Sequence, residues 1–211
     1  MLRLLISFLV LWLSFADCGV SAESVAVFPK TLDANCRNGD AELYDECGDQ
    51  FEILKSATEE AKKTGKVLVV SYGAEWCIWC HVLDAHLKGQ YGEFKYEVED
   101  YPSSMAESLG PHDREQAADL NTFAAQNMIL VHIEGRYAPN GMDVLRSLGA
   151  DRDFEGSIPY LFSVKDGRVA SRLTFKKNDP MEKRRDGLFL YRGYNRDKLL
   201  DQIRLLVEAA R

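Results

Sequence analysis

The stretch KVLVVSYGAEWCIWCHVLDAHLK, residues 66–88, decides the fold. Its first seven residues form a Val-rich run between Gly65 and Gly73 that is too short for a helix, which favours a strand buried on both faces. Residues 77–88 then predict a helix, with a lysine in the last turn and a glycine directly behind it. The stretch therefore places two cysteines at the point where a buried strand passes into a helix.

The cysteine pair Cys77 and Cys80, followed at once by His81, is compatible with two kinds of chemistry. Cys-x-x-Cys-His is the attachment sequence of a c-type haem, whereas Cys-x-x-Cys between a strand and a helix is typical of a thiol–disulfide redox pair. A haem needs an apolar pocket, and a buried strand followed by a helix that covers a sheet leaves no evident room for one. A metal held by the two cysteines with His81 or His86 would still need a fourth donor from elsewhere. We therefore predict a redox pair, with no metal and no cofactor.

Outside this stretch, apolar periodicity predicts four more helices, one more buried strand and one hairpin. The helices are residues 51–63, 113–126, 142–148 and 197–210, the strand is residues 128–133, and the hairpin turns at Lys165-Asp166-Gly167. Asp113 is expected to cap the second of these helices, with Gln116 completing a capping-box-like pair. Residues 176–187 are expected to form a charged loop. Parallel strands joined by helices and followed by an antiparallel pair predict an α/β fold with a mixed sheet.

Length and composition limit the classes of function. With 211 residues, 46% of them hydrophobic and 28% charged, the chain is long enough to bury the core of one domain. Its formal charge of −7 argues against nucleic acid as a partner, because phosphate binding needs a basic surface.

Residues 1–22 have the pattern of a secretory signal peptide. A positive end at Arg3 precedes an apolar run over residues 4–15, and Val20-Ser21-Ala22 fits a small-residue cleavage site. A retained transmembrane helix is the alternative, but the run is shorter than the ~20 apolar residues that a span needs. A lipoprotein signal at Cys18 is a third hypothesis, which Asp17 in place of a small residue disfavours. We expect a periplasmic or secreted protein with no membrane span after cleavage.

Cleavage would remove Cys18 and leave four cysteines in an exported chain, where disulfides persist. Cys36 and Cys47 flank a polar, turn-rich stretch with little to bury. We predict that they form a structural disulfide that pins an N-terminal arm over residues 23–50. The alternative is a second redox pair that passes electrons to the first.

The Trp76-Cys77-x-x-Cys80 motif at the strand-to-helix junction, Ile158-Pro159 before the hairpin and the order of the elements together resemble the thioredoxin fold. The chain is most similar to exported thioredoxin-related proteins with a Trp-Cys-x-Trp-Cys active site. The resemblance covers roughly residues 51–88 and 113–210. It implies a central mixed four-stranded sheet flanked by helices, in a domain over residues 51–211 with an insertion at about 89–112.

The resemblance also implies an enzyme, a thiol–disulfide oxidoreductase that acts on protein thiols and disulfides and exchanges electrons with an unidentified redox partner protein. Cys77 lies where the backbone N–H groups and dipole of a helix N-terminus favour a thiolate, so we expect it to attack the substrate disulfide. Cys80 is expected to resolve the resulting mixed disulfide. The sequence leaves open whether the protein is a reductase, an oxidase or an isomerase.

The expected substrate-binding residues surround this pair. Trp76 and Trp79 are expected to form an apolar rim. By the resemblance, Pro159 would follow a cis peptide bond and face the cysteines, and the backbone of Ile158 would pair with an extended substrate. A non-catalytic thioredoxin-like binding module with a permanent Cys77–Cys80 disulfide is the alternative function.

One position departs from the family pattern. Relatives often carry a buried carboxylate in the middle of the strand as a proton acceptor for the second cysteine, and the aligned residue here is Ser71. A serine is no base at neutral pH. Glu75 is expected at the exposed end of the strand, and His81 is only a candidate, so the sequence does not name the group that deprotonates Cys80.

Overall fold

The computed structural model describes residues 24–90, 94–98, 101–105, 111–175 and 193–211. The predicted signal peptide, its cleavage site and Cys18 lie outside the described residues, and so does the predicted charged loop 176–187.

The described residues contain seven strands and five α-helices; the helices and four of the strands lie at or close to the predicted positions, and the other three strands were not predicted. The strands are β1 (Ala26–Phe28), β2 (Val67–Gly73), β3 (Phe94–Val98), β4 (Tyr101–Met105), β5 (Met128–Glu134), β6 (Tyr160–Lys165) and β7 (Arg168–Arg172). The helices are α1 (Gln50–Thr64), α2 (Ile78–Leu87), α3 (Pro111–Asn127), α4 (Gly141–Leu148) and α5 (Arg196–Ala210).

Five strands form the central mixed sheet, in the order β1-β5-β2-β6-β7. β1, β5 and β2 run parallel, and β6 and β7 are antiparallel to their neighbours. With helices packed on it, the sheet makes a thioredoxin-like α/β fold. The predicted count of four strands is wrong by one, because Ala26–Phe28 pairs along β5 and adds an edge strand. Three residues are too few for a period-two pattern to be recognised in the sequence.

Each face of the sheet packs against helices. Val67 and Val69 of β2 lie in the cluster that also contains residues of α2, α3 and α5. Leu68 and Val70 of the same strand lie in the opposite cluster, with residues of α1 and α4. Because both faces are covered, β2 is buried along its whole length, and it carries the cysteine motif at its carboxyl end.

The structure confirms the predicted hairpin and corrects the predicted start of α3. The hairpin turns at Asp166 and Gly167, whose φ angles of 51° and 72° are those of a tight two-residue turn. The predicted cap at Asp113 is wrong, because α3 begins earlier, at Pro111. Proline suits the first turn of a helix, since its fixed φ is helical and an N–H is not needed there.

The predicted insertion contains a small sheet of its own. β3 and β4 pair antiparallel, from Phe94 opposite Met105 to Val98 opposite Tyr101. Residues 94–98 do alternate apolar and charged side chains, a signal that the sequence prediction overlooked, whereas residues 101–105 contain a proline and do not. In the described parts of the chain, no helix is both long and apolar enough to cross a membrane.

Candidate functional site

The cysteine motif lies at the N-terminus of α2. Cys77 is the N-cap residue, with extended backbone angles, and its sulfur accepts a hydrogen bond from the backbone N–H of Cys80 at 3.2 Å. The two cysteines are joined in a disulfide, with their Cα atoms 5.2 Å apart. Unpaired N–H groups and the helix dipole favour negative charge at this end of a helix. The position is therefore suited to holding Cys77 as a thiolate after reduction.

The two tryptophans of the motif have different surroundings. Trp76 is 59% exposed, beside the cysteine pair. Trp79 is half-buried and points inward, with its ring 5.7 Å from that of Tyr194 and its backbone oxygen accepting from the Tyr194 hydroxyl. Trp76 is thus available to a substrate, whereas most of Trp79 packs against the protein.

Ile158 and Pro159 lie next to the motif. The peptide bond between them is cis, and Ile158 packs against the cluster that contains both cysteines. Pro159 is buried. An open groove of about 560 Å³ starts at this point, and its lining includes Ala74, Trp76, Tyr137, Met142, Phe154 and Ile158.

Glu75 was expected at the exposed end of the strand, but it is partly buried against the N-terminal arm. Its carboxylate accepts backbone N–H groups from Glu42 and Leu43, each at 3.0 Å, and from Tyr44 at 2.7 Å. Burial raises the pKa of Glu75, but the hydrogen bonds from His81 and these backbone groups outweigh it and lower the pKa to about 2. Glu75 is therefore an ionised anchor for the arm.

His81 is held by the same residue. Its Nε2 lies 2.6 Å from the backbone oxygen of Glu75 and 3.3 Å from a carboxylate oxygen. Burial lowers the pKa of His81, but the bonds to Glu75 and its charge outweigh burial and raise it. Its imidazole is already bound to Glu75, which makes it a poor candidate for accepting the proton of Cys80.

A residue of the arm, Tyr44, fills the space beneath the cysteines. Tyr44 is fully buried in the cluster that contains Cys77 and Cys80, and its hydroxyl lies 3.1 Å from the Oγ of Ser71. A methyl group at Gly73 would collide with both the Tyr44 hydroxyl and the Cys80 sulfur, so both atoms border the space that a side chain at this glycine would fill. Sequence reasoning missed Tyr44. The only signal was an apolar pair, Leu43-Tyr44, inside a polar stretch.

A chain of polar contacts from His132 through Asp84 to Lys88 adjoins Tyr44. His132 of β5, the register partner of Ser71, has its ring 5.0 Å from that of Tyr44. Its Nε2 lies 3.1 Å from a carboxylate oxygen of Asp84, whose other oxygen pairs with Lys88 at 2.6 Å. Burial raises the pKa of Asp84, but His132 and Lys88 lower it further than burial raises it.

The other two histidines have structural contacts. His86 is buried, accepts the backbone N–H of Tyr194 at 3.0 Å, and has its pKa lowered to about 3 by burial and by the charge of Arg196. His112 is exposed and contacts Gln116. Within the residues that the structure describes, no three His, Cys, Asp or Glu side chains are grouped to hold a metal ion.

The arm is closed by the second disulfide, between Cys36 and Cys47, with Cα atoms 5.9 Å apart. Cys36 is buried and Cys47 is exposed. Tyr44 lies inside the loop that this bond closes. At the end of the loop the buried side chain of Gln50 donates to the backbone oxygens of Asp45 and Gly48 and accepts the N–H of Glu134. The disulfide loop is thus held to the rest of the protein by Glu75 and by Gln50.

The chain is similar to a solved structure of another protein. A disulphide isomerase from Xylella fastidiosa Temecula1 is 22% identical and aligns with a TM-score of 0.39 over 61% of this chain and 76% of its own. No protein-family model and no curated protein matches the chain.

Proposed function

We propose that this protein is an exported thiol–disulfide oxidoreductase that exchanges disulfides with polypeptides through Cys77 and Cys80. The observation that carries the proposal is the position of this disulfide at the N-terminus of α2, with Cys77 as the N-cap. A thiolate there is stabilised by the helix, and a stabilised thiolate is both a better leaving group and a larger fraction of the thiol at neutral pH.

The reaction in the reducing direction has two steps. The Cys77 thiolate attacks one sulfur of the substrate disulfide, forms a mixed disulfide and expels the other substrate sulfur as a thiolate, which takes a proton from water. Cys80 then loses its proton and attacks Cys77. This step forms the Cys77–Cys80 bond and releases the second substrate thiolate, which takes up the second proton. Two electrons pass from the protein to the substrate, and the reverse sequence oxidises a substrate dithiol.

The groove beside Trp76 and Ile158 supports a polypeptide as the substrate. It is open, mainly apolar in its lining, and continuous with the cysteine pair through Ala74. An extended segment with an apolar side chain near its cysteine would bury surface there, in addition to the covalent bond it forms. Export, in this proposal, follows from the signal-peptide pattern of residues 1–22, and an oxidising compartment suits the Cys36–Cys47 disulfide.

The test is a trapping experiment with a defined probe, a fluorescent peptide that carries one internal disulfide. The Cys80→Ser variant, reduced and mixed with the peptide, should accumulate a mixed disulfide through Cys77, because the second step is blocked. Cys77→Ser is the matched control and should trap nothing. If neither variant formed an adduct, the protein would be a binding module with a permanent disulfide. If only Cys77→Ser trapped the peptide, the roles of the two cysteines would be reversed.

A further inference from the structure

The second step of the proposed reaction needs a thiolate at Cys80, which is fully buried. Burial in apolar surroundings disfavours the charged form of a thiol. Ser71, on the strand beneath, is no base at neutral pH, and the imidazole of His81 is bound to Glu75. The question is therefore which group stabilises negative charge on this sulfur.

The hydroxyl of Tyr44 is a polar group that shares the space over Gly73 with the Cys80 sulfur. Both atoms lie over Gly73, where the missing side chain makes room for them. The hydroxyl also contacts Ser71 Oγ at 3.1 Å, and either oxygen can be the donor in that contact. The two hydroxyls can therefore form a chain in which Ser71 donates to Tyr44 and Tyr44 donates to a third atom.

We propose that Tyr44 donates its hydroxyl hydrogen bond to the Cys80 sulfur as that sulfur becomes a thiolate, with Ser71 donating to Tyr44 in turn. This inference rests on the proposed function and assigns a role to the N-terminal arm within it. A hydrogen bond to an ionised group contributes more than one between neutral groups, and it does so most where water is excluded. The Cys80 proton is not retained by Tyr44 but goes to the departing substrate thiolate, so that protons and electrons balance as in the two steps above.

The groups around Tyr44 keep it a donor. Burial first, and then the charges of Asp84, Glu75 and Glu134, raise the pKa of Tyr44, while its bond to Ser71 acts in the opposite direction and is outweighed. The His132 ring faces Tyr44 through an edge contact. Tyr44 therefore carries its proton throughout the working pH range and acts by hydrogen bonding, not as a base.

The arm is built to hold this side chain in place. The backbone N–H of Tyr44 and those of its two preceding neighbours are fixed by the Glu75 carboxylate. The Cys36–Cys47 disulfide closes the loop around it. Three of the hydrogen bonds that fasten the arm to the domain are thus made at Tyr44 and the two residues before it.

The test measures the two chemical steps separately in Tyr44→Phe, which removes the hydroxyl and retains the ring. Formation of the mixed disulfide, measured in a Cys80→Ser background, should be unchanged. Its resolution by Cys80 at neutral pH should slow about 10-fold or more, the size expected for one lost hydrogen bond to a charged group. Tyr160→Phe is the matched control, because it also deletes a buried hydroxyl, the one that bonds Ala150, on the opposite face of the sheet. It should leave both steps unchanged.

A second measurement keeps the inference testable if no turnover is found. In reduced Cys77→Ser, with the arm disulfide intact, the ionisation of Cys80 can be followed by ultraviolet thiolate absorbance. Adding Tyr44→Phe should shift this titration upward by about one pH unit, which corresponds to the same 10-fold change. Ser71→Ala should shift it in the same direction by less and serves if Tyr44→Phe fails to fold. An unchanged titration in these variants would overturn the inference, whatever the protein does catalytically. Equal slowing of both steps by Tyr44→Phe would also overturn it.

Discussion

Cys36–Cys47 and Cys77–Cys80 both join cysteines close in sequence, with Cα separations of 5.9 and 5.2 Å, but only the second begins an α-helix. The arm disulfide is the more accessible of the two, because Cys47 is exposed while Cys77 and Cys80 are buried. Exposure alone would therefore select the arm pair and not the pair that we propose as reactive. What distinguishes Cys77 is a helix N-terminus that favours its thiolate, together with an apolar groove and an exposed tryptophan beside it.

The largest expected difference between the two disulfides is in activity. Cys77→Ser should reduce disulfide exchange to the uncatalysed background, because it removes the attacking sulfur. The double variant Cys36→Ser/Cys47→Ser should retain measurable exchange, because both reacting sulfurs remain. Turnover of a disulfide-bonded peptide with a chemical electron donor measures both variants. Background activity in the arm variant, with its fold intact, would instead favour an electron relay through Cys36 and Cys47.

The second difference is in stability. Removing the arm disulfide should lower the free energy of unfolding by about 3 kcal/mol, the loop-entropy value for a loop of this length. Reducing Cys77–Cys80 should cost about 2 kcal/mol in the same model, because its loop is shorter. Denaturant unfolding of the double arm variant and of Cys77→Ser/Cys80→Ser gives the two values. An arm disulfide that contributed no more than the active-site one would contradict its structural role.

The third prediction concerns Glu75 and His81, the pair that joins the N-terminal arm to the active-site helix. Glu75 has a pKa lowered to about 2 from an ordinary 4.5, so its stabilising effect is complete above about pH 4.5 and is lost as the pH falls toward 2. His81 has a raised pKa, so its contribution is complete below its ordinary value of 6.5 and is lost as the pH rises through the folded-state pKa. Stability from this pair should therefore be greatest between about pH 4.5 and 6.5.

Glu75→Gln should remove that pH dependence and cost about 1 kcal/mol, after allowing for screening of a partly exposed group. Glu52→Gln, at an exposed pair with Lys55, is the matched control and should change little. Unfolding measured below, within and above this pH range checks both variants. Identical pH profiles for Glu75→Gln and the unchanged protein would show that the anchor has no energetic role.

The smallest expected effect is at the surface of the groove. Trp76→Ala should leave the free energy of unfolding within about 0.5 kcal/mol of the original, because the side chain is largely exposed. It should raise KM severalfold for a peptide disulfide but not for a small aliphatic disulfide, which cannot reach along the groove. Equal changes for both substrates would place Trp76 in the chemistry of the cysteines and not in substrate binding.

Much of the fold was predictable because its signals are local. The Val-rich run before Gly73 marks a buried strand, and Asp166-Gly167 marks a hairpin. The edge strand at Ala26–Phe28 was not predictable, since three residues carry no period and their pairing with β5 is a long-range contact.

The positions of the two cysteines could be predicted from the sequence, but the residues that pack around them could not. Cys77 and Cys80 are identified by spacing and by the helix that follows them. Tyr44 acts on Cys80 from outside the region of the resemblance, and it belongs to a polar loop whose path is set by the carboxylate of Glu75. Contacts made by an irregular segment across the fold leave no periodic trace in the sequence, so neither Tyr44 nor the role of Glu75 could be predicted from it.

The most direct test of the central claim, exchange through the Cys77–Cys80 pair, is the rate at which the protein accelerates reduction of a disulfide-bonded peptide by a chemical electron donor. We expect a rate well above that of the uncatalysed reaction, abolished in Cys77→Ser and retained when both arm cysteines are replaced. A rate equal to the uncatalysed one, from folded protein whose Cys77–Cys80 bond has been reduced, would contradict it.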